Sequence, residues 1–127
     1  MKRLKSKRQR AESFGQKGEF FAAVFLRLKL YSILAKNYKT PFGEIDLIVK
    51  KGANIAFVEV KTRKDKNQEG GALLAVNQRR ITKAANHYLM YNPHLADNDL
   101  RFDVIFLAPN SFPRHLIGAF DAFNIVE

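Results

Sequence analysis

The residues with the most chemical potential in this 127-residue chain lie between Gly43 and Arg63, where acids and a lysine interrupt two apolar runs. The run from Gly43 through Glu44, Ile45, Asp46 and Leu47 to Val49 is followed by Lys51-Gly52-Ala53-Asn54 and then by Ile55 to Lys61. β-Branched runs on either side of a glycine-containing turn predict a β-hairpin. Side chains alternate along a strand, so Glu44 and Asp46 share one face of the first strand, and Glu59 and Lys61 share one face of the second. A charge in an oily strand is costly unless it is paired or bound to a metal. For any one of these residues, an ion pair to Lys61 is a sufficient explanation. Taken together they fit a divalent-metal site better. Mg²⁺ or Mn²⁺ takes hard oxygen ligands, typically one or two carboxylates with water and substrate phosphate. Asp46 and Glu59 would supply the carboxylates and the Val60 backbone carbonyl a third oxygen. Lys61 would stand beside the metal as a point charge facing a phosphate.

Several elements must position that hairpin. Ser13-Phe14-Gly15-Gln16 reads as a capping box that opens a first helix. Phe21, Val24, Phe25 and Leu28 have the spacing of its core stripe. Glu19 falls on the opposite side, near Ala22, Ala23 and Leu26. It reads equally well as a partly buried acid and as an exposed acid favoured by the helix dipole. Tyr31 to Lys39 predicts a strand, and Pro41-Phe42-Gly43 a turn; Asn37 and Tyr38 suggest no chemistry. The polar stretch from Thr62 to Gly71 predicts a loop at the edge of the site, where Arg63, Lys64 and Lys66 either meet phosphate or are simply solvated, the latter being the readier explanation for each residue alone.

Asn77 can cap a second helix with Ile81, Ala84, Ala85, Tyr88 and Leu89 facing the core and Arg79, Arg80 and Lys83 forming a basic face. Leu100 to Ala108 predicts a central strand in which Arg101 and Asp103 share a face, where they either pair or order the core; Asp103 reads more readily as structural than as a support to the site. His115 to Val126 predicts a last strand or hairpin, with Gly118 at a bulge. His87, His94 and His115 match no metal spacing and read as surface or packing residues.

Composition narrows the class. Hydrophobic content of 46% predicts a folded core, and the length predicts one domain over 13–127. Without cysteine there are no disulfides or thiolate zinc sites, which suits a cytoplasmic location. No apolar run is long enough to span a membrane. A net charge of +10 favours a polyanionic partner. Lys2, Arg3, Lys5, Lys7, Arg8 and Arg10 predict a basic, disordered arm over 1–12 that clamps phosphates; a merely solvated tail is the equal alternative.

Asp46 followed by Glu59-Val60-Lys61 resembles the Asp…(Asp/Glu)-x-Lys signature of restriction-endonuclease-like phosphodiesterases. More closely, Gly43–Ile48, Phe57–Arg63 and Arg101–Val104 resemble the YraN family of small bacterial proteins, itself similar to archaeal Holliday-junction resolvases. The resemblance spans roughly residues 11–108. It implies an α/β fold of order αβββαβ, a mixed sheet with a helix on each face, and an added C-terminal strand. It implies Asp46, Glu59 and Lys61 as catalytic residues, with Asp46 and Glu59 as ligands of Mg²⁺ or Mn²⁺. Glu19 matches the helix glutamate of such nucleases as a further ligand, and Glu44 is an accessory acid. The chain departs from the family where Asn77 takes the usual lysine position of the second helix, and Gln78 becomes the assisting residue there. The implied activity is endonucleolytic cleavage of DNA, branched or single-stranded, with a homodimer left open. The rivals are a non-catalytic nucleic-acid-binding module and a basic RNA- or ribosome-associated protein.

Overall fold

A computed structural model of the chain describes residues 7–62 and 78–120, with side chains from Lys17 onward. Helix α1 (Lys7–Leu28) leads into strands β1 (Ser32–Thr40), β2 (Gly43–Lys51) and β3 (Asn54–Thr62). Helix α2 (Gln78–Tyr91) and a 3₁₀ turn (Pro93–Leu95) precede β4 (Asp99–Leu107) and β5 (Arg114–Phe120). The strands form one sheet in the order β1-β2-β3-β4-β5. β3 and β4 run parallel, with α2 in the crossover between them, and every other neighbour pair is antiparallel. This is the restriction-endonuclease-like αβββαβ core with an added C-terminal strand. No helix among the described residues is long and apolar enough to cross a membrane.

The expected hairpin is present. β2 and β3 join through Gly52 and Ala53, and Gly52 has φ of +60° at the first turn position, where a side chain would be strained. The sheet is apolar on both faces. Ile48, Ile55, Phe57, Phe102 and Val104 pack under Ile81, Ala84, Ala85 and Tyr88 of α2. Leu47, Val49, Ala56, Val58 and Ile105 pack under Ala22, Ala23 and Leu26 of α1.

Two sequence expectations for α1 are corrected. The helix begins at Lys7, ahead of Ser13, so Ser13 is an interior residue rather than a cap. Lys7, Arg8 and Arg10 therefore belong to the helix; residues 1–6, with Lys2, Arg3 and Lys5, lie outside the described residues. The buried stripe is also the other one. Phe21 and Leu28 are mostly exposed and Val24 partly so, whereas Ala22, Ala23 and Leu26 are buried. The physical reason is close approach. A Cβ placed on Gly18 would stand 3.2 Å from the Thr62 hydroxyl, so α1 lies too near the sheet for phenylalanines beneath it. The small side of the helix faces inward, and Glu19 goes with it. The helix ends in a Schellman motif, with the Tyr31 N–H donating to Leu26 O and the Leu30 N–H to Arg27 O while Leu30 occupies the left-handed region at φ +73°.

Asp103 is fully buried beneath this layer. It accepts hydrogen bonds from Arg101 Nε (3.0 Å) and from the Gly118 N–H (3.0 Å), and lies 2.7 Å from His115 Nε2. These contacts hold its pKa below the usual value although burial opposes them. Gly118 has φ of +63°, and the β4–β5 register shifts opposite it, so the expected bulge is where Asp103 is clamped. Asp103 and His115 are thus structural. Asp103→Ala removes the acid that meets part-buried Arg101 and the buried His115 side chain, and should cost about 3 kcal/mol in urea unfolding, the low end for breaking a buried pair. A loss under about 1 kcal/mol would show that the clamp is dispensable.

Candidate metal-binding active site

The site begins where one ladder stops. β2 and β3 pair from Lys51↔Asn54 as far as Leu47↔Val58. Beyond that point β2 stays paired only with β1, to Thr40↔Gly43, and β3 only with β4, to Thr62↔Leu107. The sheet therefore opens between β2 and β3, and Asp46 and Glu59 are the first residues past the fork. The Val60 N–H, left without a ladder partner on β2, donates instead to Asp46 Oδ2 at 2.8 Å. This bond bridges the mouth of the fork and fixes the carboxylate.

α1 brings Glu19 to the same opening. One carboxylate oxygen from each of Glu19, Glu44 and Asp46 lies within 4.8 Å of the others. Glu59 faces Asp46 from the other strand, near enough for the Asp46 carboxylate to raise its pKa, but it stands outside that group of three. Lys61 Nζ stands 3.6 Å from Glu59 Oε2. Asp46 is thus the hub, with Glu19 and Glu44 to one side and Glu59 with Lys61 to the other.

The electrostatics follow from this crowding. Burial, and then the Asp46 carboxylate, push Glu19 up to about 7, against a hydrogen bond from Asn37. Burial, and then Asp46, push Glu59 up to about 8, with Lys61 pulling the other way. Glu19 and Glu59 therefore retain protons near neutral pH, which relieves the repulsion.

The donor set fits a hard divalent cation. Every candidate ligand atom is a carboxylate oxygen, as Mg²⁺ or Mn²⁺ prefers, and neither thiolate nor imidazole is among them. A bound cation would take the place of the retained protons.

Sequence reasoning missed Asn37. It sits in β1 beside the Lys36↔Leu47 pair with φ of +50°, and its side chain hydrogen-bonds to Glu19. An asparagine inside a strand-like run was the available signal, because asparagine is depleted in strands and tolerates the left-handed region. Other candidates stand apart. Gln78 opens α2 and is exposed. Arg79, Arg80 and Lys83 are exposed on α2, where Arg80 Nε donates to Phe42 O at 3.0 Å. The contact seen for Val60 is through its N–H. Arg63, Lys64, Lys66 and Asn77 lie outside the described residues.

Fold and opening together define a restriction-endonuclease-like α/β domain with an acid cluster at the split between its central strands. Within that class, the chain belongs to the uncharacterised protein family UPF0102, which matches residues 18–107. That span contains Glu19, Asn37 and every acid and lysine of the opening. The chain is 47% identical over 108 residues to a UPF0102 protein of Rhodopseudomonas palustris, covering 85% of this chain and 83% of that one. A UPF0102 protein of Parvibaculum lavamentivorans is 48% identical over 109 residues, covering 86% and 82%. One from Nitrobacter winogradskyi is 43% identical over 108 residues, covering 85% and 92%.

The raised acids make a thermodynamic prediction. Glu19 and Glu59 have folded-state values of about 7 and about 8, above the ordinary 4.5. The folded protein therefore binds more protons than the unfolded chain between those limits, and stability falls as pH rises from about 5 to about 8. In chelator, the Tm of the wild type should fall over this range more than that of a Glu19→Gln/Glu59→Gln variant. Mg²⁺ should raise the wild-type Tm more at pH 8 than at pH 5. Parallel pH profiles for the two proteins would refute the crowded-acid description.

Proposed function

We propose that the chain is a divalent-metal-dependent nuclease that hydrolyses phosphodiester bonds in DNA. The observation that carries this reading is the cluster of Glu19, Glu44 and Asp46 at the split between β2 and β3, with Glu59 and Lys61 facing Asp46 from the other strand. Bare ion pairing accounts poorly for it, since Lys61 leaves the acids still crowded enough to hold protons.

Asp46 and Glu59 would hold Mg²⁺ or Mn²⁺, with Glu19 and Glu44 within reach of the same ion. Such an ion supplies a water of lowered pKa and polarises the scissile phosphate. The residues of the chain do the rest. The Val60 N–H aims Asp46, and Asn37 aims Glu19, so neither carboxylate must reorganise on binding. Lys61 exchanges its contact with Glu59 for the phosphate and offsets the charge that develops on the phosphate oxygens. Arg79, Arg80 and Lys83 hold backbone phosphates without reading sequence. A net charge of +10 gathers the polyanion and keeps binding salt-dependent.

The test is a cleavage screen on duplex, single-stranded and branched DNA with Mg²⁺ or Mn²⁺. Asp46→Asn, Glu59→Gln and Lys61→Ala should each lower cleavage by roughly 100-fold or more, the scale of losing one transition-state contact. DNA binding should stay the same or tighten, because the two acid variants remove charges that repel phosphate. Absence of cleavage by the wild type, or normal cleavage by the variants, would leave a non-catalytic binding module.

A further inference from the structure

Beside the site, α2 carries a stripe in which cations and aromatic rings follow one another: Arg80, Lys83 and Tyr91 are exposed, and His87 between them is half-buried. Their spacing of three or four residues puts them on one helical face. The stripe continues onto the β1–β2 turn. Phe42 packs edge-on against His87 with ring centres 6.4 Å apart, and His87 lies 4.9 Å from Tyr91. The three rings form a row. Tyr38 anchors its middle, with its hydroxyl 2.7 Å from His87 Nδ1.

The row is rigid and open. Thr40 Oγ1 accepts the N–H groups of Phe42 (3.0 Å) and Gly43 (3.1 Å), which fixes the turn. Arg80 Nε fastens the same turn to α2 through Phe42 O. Phe42 is nevertheless 46% exposed and Tyr91 72% exposed. Lys83 Nζ lies over the Phe42 ring, 5.8 Å from its centre. Phe57, and Tyr88 on the inner side of this helix, are buried. The outer rings instead sit among positive charges at the surface.

The row also lies close to the chemistry. Phe42, in the turn that leads into β2, comes two residues before Glu44 and four before Asp46, which at about 3.4 Å per residue puts it at most about 14 Å along the chain from Asp46. Aromatic faces interleaved with cations are what unpaired bases on a phosphodiester strand require. Rings stack on bases of any sequence while lysine and arginine neutralise the phosphates. Duplex DNA hides its base faces and gains only the charge contribution.

We infer that Phe42, His87 and Tyr91 form a stacking platform for unpaired bases of a DNA strand, with Arg80 and Lys83 on its phosphates. This rests on the reading of the chain as a DNA-acting nuclease and narrows its substrate to DNA with a single-stranded portion next to the cut. Phe42 and Tyr91 are then the residues that set preference for unpaired over paired DNA.

Binding in chelator, where no cleavage takes place, tests this separately from activity. The probes are a short oligodeoxynucleotide carrying a single 2-aminopurine, the same length with abasic residues in place of bases, and a duplex of equal length. The wild type should bind the single strand more tightly than its abasic counterpart, with a change in 2-aminopurine fluorescence on stacking. Phe42→Leu/Tyr91→Leu should weaken single-strand binding by roughly 10-fold or more, one stacked base alone being worth about 5- to 150-fold. Tyr91→Leu, at the more exposed ring, should give part of that loss. Duplex and abasic affinities, and the salt dependence, should not change. Equal wild-type affinity for normal and abasic strands, or an equal loss on all three probes, would overturn the platform. Neither result touches the cleavage screen, so the platform and the nuclease reading fail independently.

Discussion

The central constraint on this protein is the early end of the β2–β3 ladder. Hydrogen bonding between the two strands stops at Leu47↔Val58 while each strand continues with its outer neighbour. Unpaired backbone at that point would be costly, and the Asp46 carboxylate satisfies part of it by accepting the Val60 N–H. One interaction thereby serves two ends. It ties off the fork, and it holds an acid in an opening flanked by backbone that is still rigidly paired on its outer sides. Glu59 leaves the second strand at the same level, so the geometry of the split sets the distance between the acids.

The rest of the fold supports that opening. The small face of α1, with Gly18, Ala22 and Ala23, lets the helix settle close to the sheet and carry Glu19 to the fork. The apolar layers on both faces of the sheet keep the acids partly out of water, and burial is the first cause of the raised values at Glu19 and Glu59. The acids at the fork differ from Asp103. There the buried charge is met by Arg101, by His115 and by a backbone N–H, and its pKa falls. At the fork Glu19 and Glu59 are partly buried beside mostly like charges, and their pKa values rise. The first arrangement is what a structural acid needs; the second leaves electrostatic demand for a cation.

Much of this was legible from residue type and spacing. Alternation along Glu44-Ile45-Asp46 and Glu59-Val60-Lys61 placed the charges of each strand on a shared face, and the Gly52 turn placed the strands side by side. The order of elements followed from the resemblance carried by the same motifs. What the sequence left open was tertiary. Helical periodicity marks Phe21, Val24, Phe25 and Leu28 as an apolar stripe, yet a stripe does not reveal how closely the helix can approach, and close approach selected the alanine side. Asn37 was illegible as a site residue because its role depends on a left-handed backbone angle and on the helix above it. The end of the β2–β3 ladder was also hidden, because both strands remain β-patterned beyond the point at which they part.

The claim that these acids form a cation site is tested most directly by diffraction from crystals of the full chain grown with Mn²⁺, read by anomalous scattering. A single peak among the Asp46 and Glu59 carboxylates is expected, at oxygen distances near about 2.1 Å, with Lys61 released from Glu59. At saturating Mn²⁺, a cleft without such a peak, with Lys61 still paired to Glu59, would contradict it.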